Sequence, residues 1–179
     1  YSTANVTGTS SDNGGLVGLN GSGSVIENCY ATGTVTGTSK VGGLVGQNQA
    51  GSVIQECYAT GDVYCSNISG GGMVGVNSYA STPSNIFNCF CTGEVHRTNG
   101  TSTYFGGFLC ENDGTNIGNC YSVSSVFYDN GTDPADKGFV GYERNTTSYS
   151  NNFFDNEASN QSSDAIGAAT AKTTLEMQM

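Results

Sequence analysis

Four of the seven cysteines recur in one local setting, three residues after an isoleucine and directly before an aromatic residue. The copies are Ile26-Glu27-Asn28-Cys29-Tyr30, Ile54-Gln55-Glu56-Cys57-Tyr58, Ile86-Phe87-Asn88-Cys89-Phe90 and Ile117-Gly118-Asn119-Cys120-Tyr121. Thiols in such a column could bind a metal, form disulfides between neighbouring copies, or serve as small apolar side chains. The paired Cys-x2-Cys spacing of a zinc site is missing, and Cys89-Phe90-Cys91 is too tight for it. Cys65, Cys91 and Cys110 stand outside the column. A ladder of buried thiols is the preferred reading. Disulfides between neighbouring copies are the alternative: the Cα spacing fits, but parallel Cβ vectors strain the torsion.

Carboxylates are the next candidates. Asp62 and Glu94 hold the same place in successive copies, so they are expected on adjacent rungs at a separation near that of a retaining glycosidase pair. A solvated outward face explains them as well, because solvated carboxyls lack the burial that splits their pKa values. The single histidine, His96, lies beside Arg97 with no cluster of Lys or Arg around it, which suits neither a lyase of acidic sugars nor a general base. The run Asp129 to Asp136 carries three carboxylates but no EF-hand spacing. It reads as a polar turn opened by Asn130-Gly131 and stiffened by Pro134. No catalytic residue, metal site or cofactor is expected.

Tyr30, Tyr58, Phe90 and Tyr121, with Tyr1 ahead of them, form an aromatic column beside the hydroxyls of Thr32, Thr60 and Thr92. Facing outward, these rings could stack on sugars or on one another. Asn5, Asn20, Asn67, Asn99, Asn130, Asn145 and Asn160 each begin an Asn-x-Ser/Thr sequon and are candidates for glycosylation, which requires exposure.

All these residues owe their spacing to a repeat. A glycine-led block recurs as Gly14-Gly15-Leu16-Val17-Gly18, Gly42-Gly43-Leu44-Val45-Gly46, Gly71-Gly72-Met73-Val74-Gly75, Gly106-Gly107-Phe108-Leu109-Cys110 and Lys137-Gly138-Phe139-Val140-Gly141, and the cysteine block trails it. Valines at Val35, Val63, Val95 and Val126 close the copies. Two or three short strands per repeat cannot bury a face alone, whereas stacked copies line identical columns into one core. The expected fold is all-β, a right-handed parallel β-helix of about five coils and roughly 24 Å tall, with rungs about 4.8 Å apart. Solenoid repeats are expected over 1–155 and a closing cap over 156–179, where Thr173 and Glu176 have capping-box spacing for a short helix. Loops are expected between Ser78 and Ser84 and between Arg97 and Tyr104. Within the cysteine block, the Cys29/Ala31/Gly33/Val35 parity should face inward. The Ile26 column can face inward too only if the chain bends near Asn28. Tyr1 reads as the start of a half coil.

The Gly-Gly-Leu-Val-Gly block followed by Asn-Cys-Tyr-Ala-Thr-Gly resembles the GLUG repeat of large bacterial surface proteins, including adhesins. The run Asn152 to Ser162 and the segment Lys172 to Met177 are similar to the ending that closes such arrays. The resemblance implies a β-helical surface module and carries no catalytic residues.

Composition agrees with that class. The 179 residues include 27 Gly and no Trp, and 15 acidic against 5 basic residues give a formal charge of -10. Such a surface repels nucleic acid and anionic lipid, and no apolar run is long enough to span a bilayer. The expected role is a secreted or cell-surface stalk or adhesive module with no enzymatic activity, its partners being host or neighbouring-cell glycans or matrix proteins bound weakly. The alternatives are a fibre subunit associating end to end through β-edges and, less favoured, a polysaccharide-processing enzyme.

Overall fold

The computed structural model describes residues 1–21, 23–49, 51–78, 82–145 and 148–178. Every strand pairing within it is parallel, and five sheets run along a solenoid of about five turns. A full coil contains five short strands rather than two or three. In the second coil they are Val41–Gly42, Val45–Gln49, Val53–Gln55, Tyr58–Ala59 and Val63–Cys65. The third coil repeats them as Ser69–Gly71, Val74–Ser78, Asn85–Phe87, Phe90–Cys91 and Val95–Arg97. The extra strands arise because the corners are sharp: each conserves the coil's path while splitting one readable block into two flat faces.

The bend expected near Asn28 is such a corner. Asn28, Glu56, Asn88, Asn119 and Asn151 all have φ between 52° and 54°. That left-handed conformation is one Asn tolerates better than most residues. It reverses strand parity, so Ile54, Ile86 and Ile117 before the corner and Cys57, Cys89 and Cys120 after it all face inward. The asparagines also link along the outside, Asn119 donating to Asn88 and Asn151 to Asn119, each at 3.2 Å. The expected parity holds down the column: Ala31, Ala59, Cys91, Val35, Val63, Val95 and Val126 are buried, and Thr32, Thr60 and Thr92 are exposed.

The glycine pairs set how closely coils approach. A Cβ on Gly43 or Gly72 would lie 2.2 Å from the carbonyl oxygen of Gly72 or Gly107 in the next coil. Backbone meets backbone there, with no flexible side chain to give way.

The last coil is closed by side chains that imitate a following one. Along the stack, one carbonyl accepts two N–H groups from the coil before it: Met73 O accepts from Leu44 and Val45, and Phe139 O from Phe108 and Leu109. In the final coil the N–H groups of Phe139 and Val140 donate instead to Asp164 Oδ1, at 3.3 and 2.9 Å, while Asp164 Oδ2 accepts from Ala168 at 2.7 Å. Asn160 likewise accepts from Val126 N–H and donates to Val126 O, both at 2.9 Å. Gln161 accepts from Lys137 N–H at 2.8 Å. Ala168 is buried in the core, and Thr170–Lys172 adds a final parallel strand beside Phe153–Asp155. The helix Thr174–Met177 follows with the expected capping box, Glu176 N–H donating to Thr173 Oγ1 and Thr173 N–H to the Glu176 carboxylate.

Candidate functional site

The rings of the aromatic column stack on one another. Tyr1, Tyr30, Tyr58, Phe90 and Tyr121 follow at centroid separations of 4.9 to 5.0 Å with interplanar angles of 3° to 11°. Rungs about 4.8 Å apart force this spacing once the side chains share a rotamer. Each of Tyr30, Tyr58 and Phe90 therefore has a ring against both faces and presents its edge to solvent. A sugar cannot lie face-on upon those three while the stack is intact, so of the two readings the rings adopt stacking on one another. Tyr121 differs: Phe153 is its register partner in the next coil, yet the two rings do not stack.

The acidic and histidine residues meet on the outer face of the valine column. His96 lies between Tyr64 and Phe127, with centroids 4.6 and 5.0 Å away. Its Nε2 is 3.1 Å from a Glu94 carboxylate oxygen and its Nδ1 is 2.9 Å from Asp129 Oδ1. Only the imidazolium donates from both nitrogens, so the arrangement favours the charged ring. Burial acts against that charge, but the two carboxylates outweigh it and the His96 pKa is raised. The Asp62 carboxylate accepts the Glu94 backbone N–H at 2.9 Å, which links the two coils at this position.

A histidine whose folded pKa exceeds its unfolded value of ~6.5 contributes stability that is full below that value. The contribution is lost as pH rises through the folded pKa. The melting temperature of the native chain should therefore fall toward that of His96→Gln as pH increases. Thermal unfolding between pH 5.5 and 8.5 measures this; a difference between the two proteins that did not vary with pH would contradict the clasp. Tyr64, whose own pKa is raised by burial and by these carboxylates, titrates above the window.

The thiols are quiet. All seven cysteines are free. Cys57, Cys89 and Cys120 donate to the carbonyls two residues earlier, at 3.0, 3.0 and 3.2 Å, as second donors to oxygens that already accept the backbone N–H of Asn28, Glu56 and Asn88 in the preceding coil. Hydrogen bonding to the next thiol in the column and burial raise the Cys57 and Cys89 pKa values, and burial pushes Cys91 up to about 11. Protonated, enclosed thiols are poor nucleophiles.

Around the Asp129–Asp136 turn the groups are used separately. Asp129 holds His96, Asp133 accepts from Tyr128 N–H at 2.7 Å, and Asn130 accepts from the Arg97 guanidinium, which lies 3.6 Å above the Tyr128 ring. Among the described residues no group of three or more His, Cys, Asp or Glu is placed to hold a metal ion.

A further column has a regular spacing in the sequence. Asn20, Asn48, Asn77 and Asn112 follow each glycine block at a constant offset and are all buried. Asn20 donates to Asn48 at 2.8 Å, Asn48 to Asn77 at 2.9 Å and Asn77 to Asn112 at 3.2 Å. Asn112 ends the chain of bonds on the Tyr149 hydroxyl at 3.0 Å. Asn20 is thus an inward ladder member, and a glycan there would require it to leave the stack. The other six sequon asparagines, Asn5, Asn67, Asn99, Asn130, Asn145 and Asn160, are exposed. The expected loop between Ser78 and Ser84 includes residues 79–81, which lie outside the described residues.

Residues 14–36 and 37–64, the first two full coils in this geometry, match the family described as the GLUG motif. This segment is a GLUG-repeat region. No curated protein and no solved structure matches the chain. The later coils keep the GLUG columns in register, Gly71 with Gly106 and Phe90 with Tyr121, while longer connections and Cys110 in place of a glycine set them apart in sequence. The whole stack is a structural β-solenoid repeat module.

Proposed function

We propose that the chain is a non-catalytic spacer, a rigid stalk segment of a secreted or cell-surface protein. The observation that carries this reading is that its chemically capable side chains are occupied in holding coil to coil. The thiols donate to corner carbonyls, the asparagines bond to one another, the rings stack, and His96 ties Glu94 to Asp129 of the next coil. The surface location rests on the GLUG motif and on a polar, acidic composition of low charge density. Among the described residues no helix is long and apolar enough to cross a membrane.

A fibre built end to end has less support, because Asp164, Asn160 and Gln161 occupy the N–H groups that a further coil would need. Sedimentation velocity over a wide concentration range tests the spacer: a monomer at every concentration is expected, and filaments in the electron microscope would favour the fibre. Polysaccharide hydrolysis that vanished in Asp62→Asn would replace the spacer with an enzyme.

A further inference from the structure

The end of the aromatic stack departs from the pattern of its interior. Ring follows ring from Tyr1 to Tyr121 and then stops, although Phe153 occupies the next position in register. A cavity of about 250 Å³ opens at this break, lined by Tyr121, Phe153, Lys172, Glu176 and Met177. The strand Thr170–Lys172 and the helix Thr174–Met177 build its outer wall, so the site exists only where the cap meets the stack. Lys172 Nζ lies 5.8 Å from the Phe153 centroid and 3.9 Å from Glu176 Oε1. The other Glu176 oxygen, Oε2, is held by Thr173 N–H in the capping box, which fixes the carboxylate at the rim.

We propose that this break is a binding site for a single neutral sugar ring, a pyranose unit of a glycan. The volume is below the roughly 300 to 1,000 Å³ of drug-sized sites, which suits one ring. Two aromatic residues and a methionine supply apolar walls for the C–H face of a pyranose. Lys172 and Glu176 supply a donor and an acceptor for its hydroxyls, and their charges offset each other, so the rim favours neither an anion nor a cation. The interior rings, covered on both faces, offer no equivalent. The proposal goes beyond the spacer reading and does not depend on it: a chain that bound no sugar would still be judged as a spacer by sedimentation.

The test is an amide-shift NMR titration of the full chain with methyl β-glucopyranoside, methyl β-galactopyranoside and diacetylchitobiose, with p-cresol as a non-sugar ring. At least one sugar should give saturable shifts at Tyr121, Phe153, Lys172 and Met177 with a Kd on the order of 1 mM, as suits one ring. Lys172→Met, which leaves the capping box intact, should weaken binding about fivefold or more, and Tyr30→Ala at the far end of the stack should leave it unchanged. The assignment is overturned if no sugar produces saturable shifts, if the shifts centre on Tyr30 and Tyr58, if Lys172→Met binds as well as the native chain, or if p-cresol binds and the sugars do not.

Discussion

Gly72→Ala should remove about 3 kcal/mol or more of stability, at the upper end of what overpacking costs, or prevent the stack from forming. The added methyl would sit 2.2 Å from Gly107 O and 2.9 Å from Ser124 Oγ. Relieving the first contact means separating two backbones that hydrogen-bond along their length, so the disturbance spreads to both neighbouring coils. Gly21→Ala is the control, because its nearest neighbour is the end of the Gln49 side chain at 3.6 Å, an ordinary contact. Urea unfolding followed by far-UV circular dichroism separates the two. Equal midpoints for Gly72→Ala and Gly21→Ala would show that the coils can part at the glycine column without penalty, contrary to the packing argument.

Asn77→Leu should cost about 2 to 4 kcal/mol, since three buried partners, Asn48, Asn112 and Thr115, each lose a hydrogen bond. Asn48 would keep an amide donor with no acceptor, the Thr115 hydroxyl would lose its donor, and the Asn112 oxygen would keep only the Thr115 hydroxyl. Leucine is close to asparagine in size, so the loss isolates hydrogen bonding from cavity formation. Asn20→Leu, at the end of the ladder, removes the donor to the Asn48 oxygen and a longer bond to the Val53 carbonyl at 3.4 Å, and should cost about half as much. The same denaturation measurement decides the matter. If the interior and terminal substitutions proved equivalent, the buried amides would be acting as separate pairs and not as a connected row.

Much of this architecture is legible in the sequence because a solenoid writes its contacts as a period. The Ile26, Cys29 and Val35 columns, the inward parity and the corner at Asn28 all follow from aligning the copies, and the Thr173–Glu176 capping box follows from spacing alone. The five strands per coil are less legible. A left-handed residue and a tight glycine turn divide a block that reads as one apolar segment, and no hydrophobic pattern records a corner. The asparagine ladder is visible as a repeated letter, but at Asn20 it coincides with a sequon, and a polar residue at constant offset looks like surface until its neighbours are also asparagine. The cavity at Tyr121 is the least legible, because Lys172, Glu176 and Met177 of the cap line it, and the cap has no repeat to be aligned with.

The direction of the rungs has a mechanical consequence. Hydrogen bonds between coils run along the axis of the stack, so tension applied between its two ends loads them in opening and not in shear. The coils should peel one after another, each yielding with little help from the rest. Releasing the 28 residues from Gly14 to Gly42 would lengthen the tether by about 90 Å, at roughly 3.3 Å per extended residue. Pulled lengthwise, the protein would lengthen stepwise and limit the force passed to whatever it joins, while remaining stiff against bending until the first coil opens.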